Sequence, residues 1–89
     1  MLPKVIDVKP MTDYKVFLTF DNGEKKVFDV MPYINGDWYG KLKDLRFFNT
    51  VHVSGRTIEW ADGQDIAPHE LYDDSVVITS QQAFANINI

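Results

Sequence analysis

The chain has 89 residues, room for one domain, and its 45% hydrophobic and 25% charged content suits a folded globular protein rather than an intrinsically disordered one. It contains no cysteine, which excludes disulfides, thiolate catalysis and every zinc site built on cysteine. Nine Lys and Arg against 13 Asp and Glu give a net charge of −4, which argues against nucleic acid as a default partner, since that binding needs a clustered basic face.

The opening "MLPKVIDVKP" has no long apolar run, so neither a signal peptide nor a membrane span is read there, and a cytoplasmic location follows by elimination. Within it Ile6 and Val8 alternate with Asp7 and Lys9, a short strand ended by Pro10. "YKVFLTF" sets Val16, Leu18 and Phe20 against Lys15, Phe17 and Thr19, and "KKVFDV" returns after Asn22-Gly23. Asn-Gly between two alternating runs predicts a hairpin with a type I′ turn, in which both central residues take positive φ.

The period then changes. Pro32 suits the first position of a helical turn that Gly36 stops, and Asp37 is a good N-cap for a second helix. Trp38, Leu42 and Leu45 fall at i, i+4 and i+7, an apolar stripe that makes Trp38 a core-packing residue. The basic cluster Lys41, Lys43 and Arg46 lies on the same segment, with Lys25 and Lys26 elsewhere. It is too thin for nucleic-acid binding to be the leading reading.

"TVHVS" and "TIEW" alternate around Ser54-Gly55-Arg56 and predict a second hairpin, with Val51 and Val53 on one face and His52 and Glu59 on the other. "PHELYD" reads as one helical turn with Pro68 first and Asp65 as its cap. "SVVIT" is strand-prone, and the polar end of the chain has little pattern. The order β-β-β-α-β-β, with one main helix and a C-terminal helical turn, predicts an α+β fold with a small antiparallel sheet. Residues 1–78 are expected to form one domain and 79–89 a flexible tail.

The stretch "IEWADGQDIAPHELYDD" gathers Asp62, Asp65, His69 and Glu70 around Trp60, Gly63 and Pro68, a density that invites an active-site reading. A calcium loop fails, because "ADGQD" supplies one aspartate before the glycine and one after, not the alternating set. A transition metal would need three convergent ligands, and the two histidines, His52 and His69, stand on different elements. Acid–base work by Asp62, Asp65 or Glu70 would require a carboxyl group raised by burial or a like charge. The structural reading accounts for more. Asp62-Gly63 is a turn dipeptide, Asp65 and Pro68 start a helical turn, and Leu71 and Tyr72 fall onto the sheet. No catalytic residue and no cofactor is therefore assigned; His69 and Glu70 alone have no structural use in this reading.

Three segments together resemble one family. "PKVIDVKPMTDYKVFLTFDNGEKKVFDV" has the form P-x-V-x-x-V-x-P, a Tyr-led strand, D/N-G-E and F-D-V. "LKDLRFFNTVHV" follows it, and "TIEWADGQDIAPHELYD" closes with I-x-W-x-x-G-x-D-x-x-P-x-x-L-Y. This pattern is similar to the small prokaryotic domain of unknown function 2442 family over residues 3–74, with Ala61 where members often carry proline. The resemblance implies a compact α+β fold and carries no assigned activity, cofactor or catalytic residue. Trp60, Gly63, Asp65, Pro68, Leu71 and Tyr72 transfer only as motif positions. It also implies a short stand-alone protein, often encoded beside another small protein in an arrangement like a toxin–antitoxin pair. Some relatives are fused to a helix–turn–helix, a part missing here.

The expectation is a non-enzymatic protein-interaction module, antitoxin-like or regulatory, that pairs with a neighbouring small protein or with itself through an exposed strand edge. Two alternatives stand beside it: a small metal-dependent or acid–base enzyme working over Asp62, Asp65, His69 and Glu70, and a weak nucleic-acid-binding regulator using Lys41, Lys43 and Arg46.

Overall fold

Alternating side chains in the first third of the chain build the sheet they imply. In the computed structural model, which describes residues 2–78, β1 spans Val5–Pro10, β2 Lys15–Phe20 and β3 Lys25–Asp29. The segment 79–89, expected as a tail, lies outside the described residues. Short helices follow: α1 (Gly36–Tyr39), continued by a 3₁₀ turn over Gly40–Lys43, and α2 (Leu45–Phe48). Next come β4 (His52–Ser54), β5 (Thr57–Glu59), α3 (Pro68–Asp73) and β6 (Val76–Val77). The first three strands and β6 form an antiparallel sheet in the order β1-β2-β3-β6, while β4 and β5 pair separately. The fold is α+β, as the element order implies.

The inner face of the sheet carries Val16, Leu18, Phe20 and Phe28, all buried. The helices and the β4–β5 hairpin cover it, contributing Leu42, Phe48, Ile58, Trp60 and Leu71 to the same core. Burial of such apolar area is the main stabilising term for a domain this small, at about 25 cal/mol per Å² removed from water. Ile6 does not join this core. Val5 pairs with Phe20 and Asp7 with Thr19, so Ile6 is the extra residue of a β-bulge and faces solvent, and Val5 is buried instead.

The first hairpin forms where Asn22-Gly23 places it, with a different turn. Only Gly23 has positive φ (92°), Gly23 N–H donates to Phe20 C=O (3.0 Å), and Phe20 N–H donates to Glu24 C=O (2.9 Å). That is a three-residue loop, a type I turn closed by a left-handed glycine, rather than type I′. Asn22 supports it by accepting from Glu24 N–H (3.0 Å).

The main helix forms over 36–43, shorter than its apolar stripe implies and with a different start. Gly36, at φ 71°, begins α1 after Asn35, so Asp37 lies inside the first turn and caps nothing. Asp44 turns extended (ψ 117°) and ends the run, then caps α2 by accepting from Arg46 N–H at 3.0 Å. The break takes Leu45 out of the stripe. Leu42 is fully buried, whereas Trp38 keeps 47% of its surface and Leu45 is exposed. Trp38 is therefore not a core residue.

Candidate functional site

The 58–74 segment is built around Trp60. Its indole N–H donates to Phe48 C=O (2.9 Å), tying β5 to α2, and its backbone N–H donates to Gln64 C=O (2.8 Å). Gly63 closes that turn at φ 104°, a conformation side chains disfavour, and the Trp38 ring lies 3.9 Å from where its Cβ would stand. Gln64 is buried: its Nε2 donates to Trp38 C=O (2.9 Å), and its Oε1 has no hydrogen-bond partner among the described residues. Thr57 Oγ1 donates to Ile66 C=O, drawing the segment toward α3.

Most of the polar side chains here have structural partners. Asp62 Oδ2 accepts from Lys41 Nζ at 2.8 Å, a half-exposed pair of small energetic worth that also occupies one member of the basic cluster. Asp65 does not cap α3. Ala67 holds the N-cap position with no side-chain bond, and Asp65 instead bridges Glu59 through its backbone and accepts from the Tyr39 hydroxyl at its C=O (2.9 Å). Pro68 does start α3, and Leu71 is buried against the sheet.

Glu70, for which the sequence shows no structural use, has one. Its Oε2 accepts from the Tyr33 hydroxyl at 2.8 Å, joining α3 to the turn after β3. Burial first, and then this bond, push the Tyr33 hydroxyl up to about 12. His69 is exposed on the first turn of α3. His52 lies across the second hairpin, its Nε2 3.2 Å from Glu59 Oε1, on the shared face that alternation predicts. Among the described residues no group of three or more His, Asp or Glu is placed to hold a metal ion.

A second polar cluster was not legible in the sequence. Lys26 sits on the core face of β3 and is almost fully buried, with Nζ donating to Tyr72 C=O (2.6 Å) and lying 3.7 Å from the Tyr72 ring centroid. The Tyr72 hydroxyl donates to Glu24, and the ring meets Phe20 edge-on with centroids 5.1 Å apart. The bond from Tyr72 holds the Glu24 carboxyl below its ordinary range, and the same bond raises the Tyr72 hydroxyl. This clasp fixes the C-terminal end of α3 to the first hairpin, and so delivers the chain to β6.

The outer face of the sheet carries a second, smaller apolar cluster. Met11 and Phe17 are buried there with Val27 and Ile78 partly buried beside them. Met11, Val27 and Ile78 floor a groove of about 490 Å³ that is also lined by Asp13, Lys15, Asp29, Asp74, Val76 and Val77. Val76 and Val77 keep 64% and 60% of their surface exposed. At the groove's other end the β1–β2 turn places two consecutive non-glycine residues at positive φ, Asp13 (61°) and Tyr14 (58°). That strain is held by Met11 N–H donating to Lys15 C=O (2.8 Å) and by the Tyr14 hydroxyl donating to Lys43 C=O (2.6 Å). Sequence reading passed over this face, although Phe17 and Val27, apolar residues among Lys15, Thr19 and Lys25, were its signal.

No helix among the described residues is long and apolar enough to cross a membrane. Neither a curated protein nor a solved structure matches the chain. A family model does match, over residues 5–76, which takes in both hairpins, the Trp60 turn, α3 and the start of β6. The chain belongs to the family described as Protein of unknown function (DUF2442).

Proposed function

We propose that the protein is a non-enzymatic interaction module that binds another protein through the outer face of its sheet and the β6 edge. The observation that carries this reading is the pair Val76 and Val77. Two adjacent β-branched residues stand mostly exposed on an edge strand next to an apolar groove. An edge strand with unpaired backbone groups is a template for another chain unless it is blunted by charge, proline or cover. An apolar patch rimmed by polar residues marks an interaction surface. The 58–74 side chains, spent on turns and inter-element bonds, leave the loop a supporting role.

The partner suited to an acidic chain is a small basic protein encoded beside it, in a regulatory or antitoxin-like relation. The test is co-expression of the adjacent gene's product with this chain, followed by co-purification and a growth assay. A stable complex is expected, and an antitoxin-like role further requires that this chain relieve growth inhibition by the neighbour. Absence of any complex would remove the reading, and a complex without rescue would remove its antitoxin form.

A further inference from the structure

We propose that the β6 edge and its groove take up an extended basic segment of the partner by strand addition. This rests on the interaction reading above and specifies its site, its binding mode and the partner's chemistry.

Backbone geometry supplies the first argument. Val76 pairs with Val27 and Val77 with Lys26, and Ile78 N–H donates to Lys25 C=O (3.2 Å). In an antiparallel ladder hydrogen-bonded and non-bonded pairs alternate. The bond at Ile78 thus makes Val76 and Ile78 the residues that face β3, and Val77 directs its N–H and C=O outward. An incoming strand meets there a donor and an acceptor that have no partner among the described residues.

Side-chain placement gives the second. Val76 and Ile78 share the outer face with Val27, and Met11, Val27 and Ile78 form the apolar floor of the groove. A segment paired along β6 sends every second side chain to that face, beside the groove. Apolar residues at those positions match the floor.

Charge selects the partner. Asp13, Asp29 and Asp74, all exposed, line the groove against one basic side chain, Lys15. Asp29 is anchored by accepting from Met31 N–H (3.1 Å), and Asp13 is held at the rim by the strained turn. An apolar strand flanked by Lys or Arg is complementary to this rim. A second copy of this chain is not, because a two-fold pairing of β6 with β6 would set the same aspartates and a net charge of −4 against themselves.

The probe is a short synthetic peptide alternating valine with lysine, titrated into the full chain at low salt and followed by amide NMR. Two control peptides go with it: one alternating valine with glutamate, and the lysine peptide N-methylated at every backbone amide. The lysine peptide is expected to bind with shifts centred on Val76–Ile78, Val27 and Met11. Asp13→Asn, Asp29→Asn and Asp74→Asn combined should weaken it about tenfold, the sum of three exposed charge pairs. Asparagine keeps the acceptor for Met31. The glutamate and N-methylated peptides should not bind.

Equal binding of the N-methylated peptide means electrostatic adhesion without strand pairing, and equal binding of the glutamate peptide removes the charge argument; either overturns the proposal. The same variants, with Val76→Lys, separate it from the broader reading. If the neighbour's complex survives all of them while their circular dichroism stays native, the β6 site is wrong and the interaction module stands. If no complex forms with the unaltered chain, the module reading itself fails. Dimerisation of the unaltered chain that Val76→Lys abolishes would show a second copy as the occupant and overturn the basic partner.

Discussion

Replacing Trp60 by phenylalanine probes whether the 58–74 segment is held together by its tryptophan. The smaller ring loses the bond from the indole N–H to Phe48 C=O, leaving that carbonyl only the long 3.4 Å bond from Val51 N–H. A buried acceptor deprived of its main donor costs about 1–2 kcal/mol, and the space vacated by the indole adds about 1 kcal/mol as residual cavity. The sum, about 2–3 kcal/mol, lowers the melting temperature of a domain this size by roughly 10–20 °C. Urea and thermal unfolding followed by circular dichroism measure it. Trp38→Phe is the control: Trp38 is half-exposed, and the bond from Gln64 uses its backbone C=O, which the substitution leaves in place. That variant should change stability by less than about 1 kcal/mol. If Trp60→Phe is equally mild, or Trp38→Phe is the more damaging of the two, the account of the turn is wrong.

The remaining predictions concern single side chains. His69→Ala should stay within about 0.5 kcal/mol of the parent in urea unfolding, as expected for an exposed residue without a structural bond, whereas Glu70→Ala should cost about 1 kcal/mol through its lost bond with Tyr33. Lys26→Met should destabilise by about 1–3 kcal/mol, read by the same titration, because Tyr72 C=O loses a charged donor while the aliphatic stem is largely conserved. The Tyr33 hydroxyl ionises at about 12 when folded, above the tyrosine value near 10 of an unfolded chain, so its contribution is complete below about pH 10 and is lost as pH rises toward 12. Absorbance at alkaline pH should show this late ionisation, and Glu70→Gln should move it earlier. Gly63→Ala should cost about 1–2 kcal/mol in thermal unfolding for the positive φ alone, since no atom lies close enough to clash.

Strand alternation was legible because each strand writes its two faces into neighbouring residues: Val16, Leu18 and Phe20 against Lys15 and Thr19 needed no tertiary information. The Asn22-Gly23 hairpin was legible for the same reason, but its turn type depended on the backbone of Asn22, which stays at negative φ. What escaped depends on partners distant in sequence. Ile6 faces solvent because of a bulge set by pairing with Phe20 and Thr19. Trp38 and Leu45 share a helical face only if the helix runs through Asp44, and there it breaks. Asp65 had the right residue type for a cap, yet bridging to Glu59 removes it from the start of α3.

The same limit applies to the site. The motif residues Trp60, Gly63, Pro68, Leu71 and Tyr72 were recognisable as a group, and turn chemistry explained Asp62-Gly63. The reasons Glu70 and Lys26 occupy their positions lie on Tyr33 and Tyr72, 37 and 46 residues away, beyond any local pattern. The groove is assembled from the β1–β2 turn, β3 and β6, so Asp13, Asp29 and Asp74 become one rim only after folding.

The central claim is that recognition belongs to the outer face and the β6 edge, and that the Trp60 loop supports the fold. Hydrogen exchange on the co-expressed complex, compared with the free chain, tests it most directly. Protection should rise at Val77 and along the groove while the amides of 60–70 stay unchanged. A footprint centred on 60–70, with β6 exchanging as in the free chain, would contradict it.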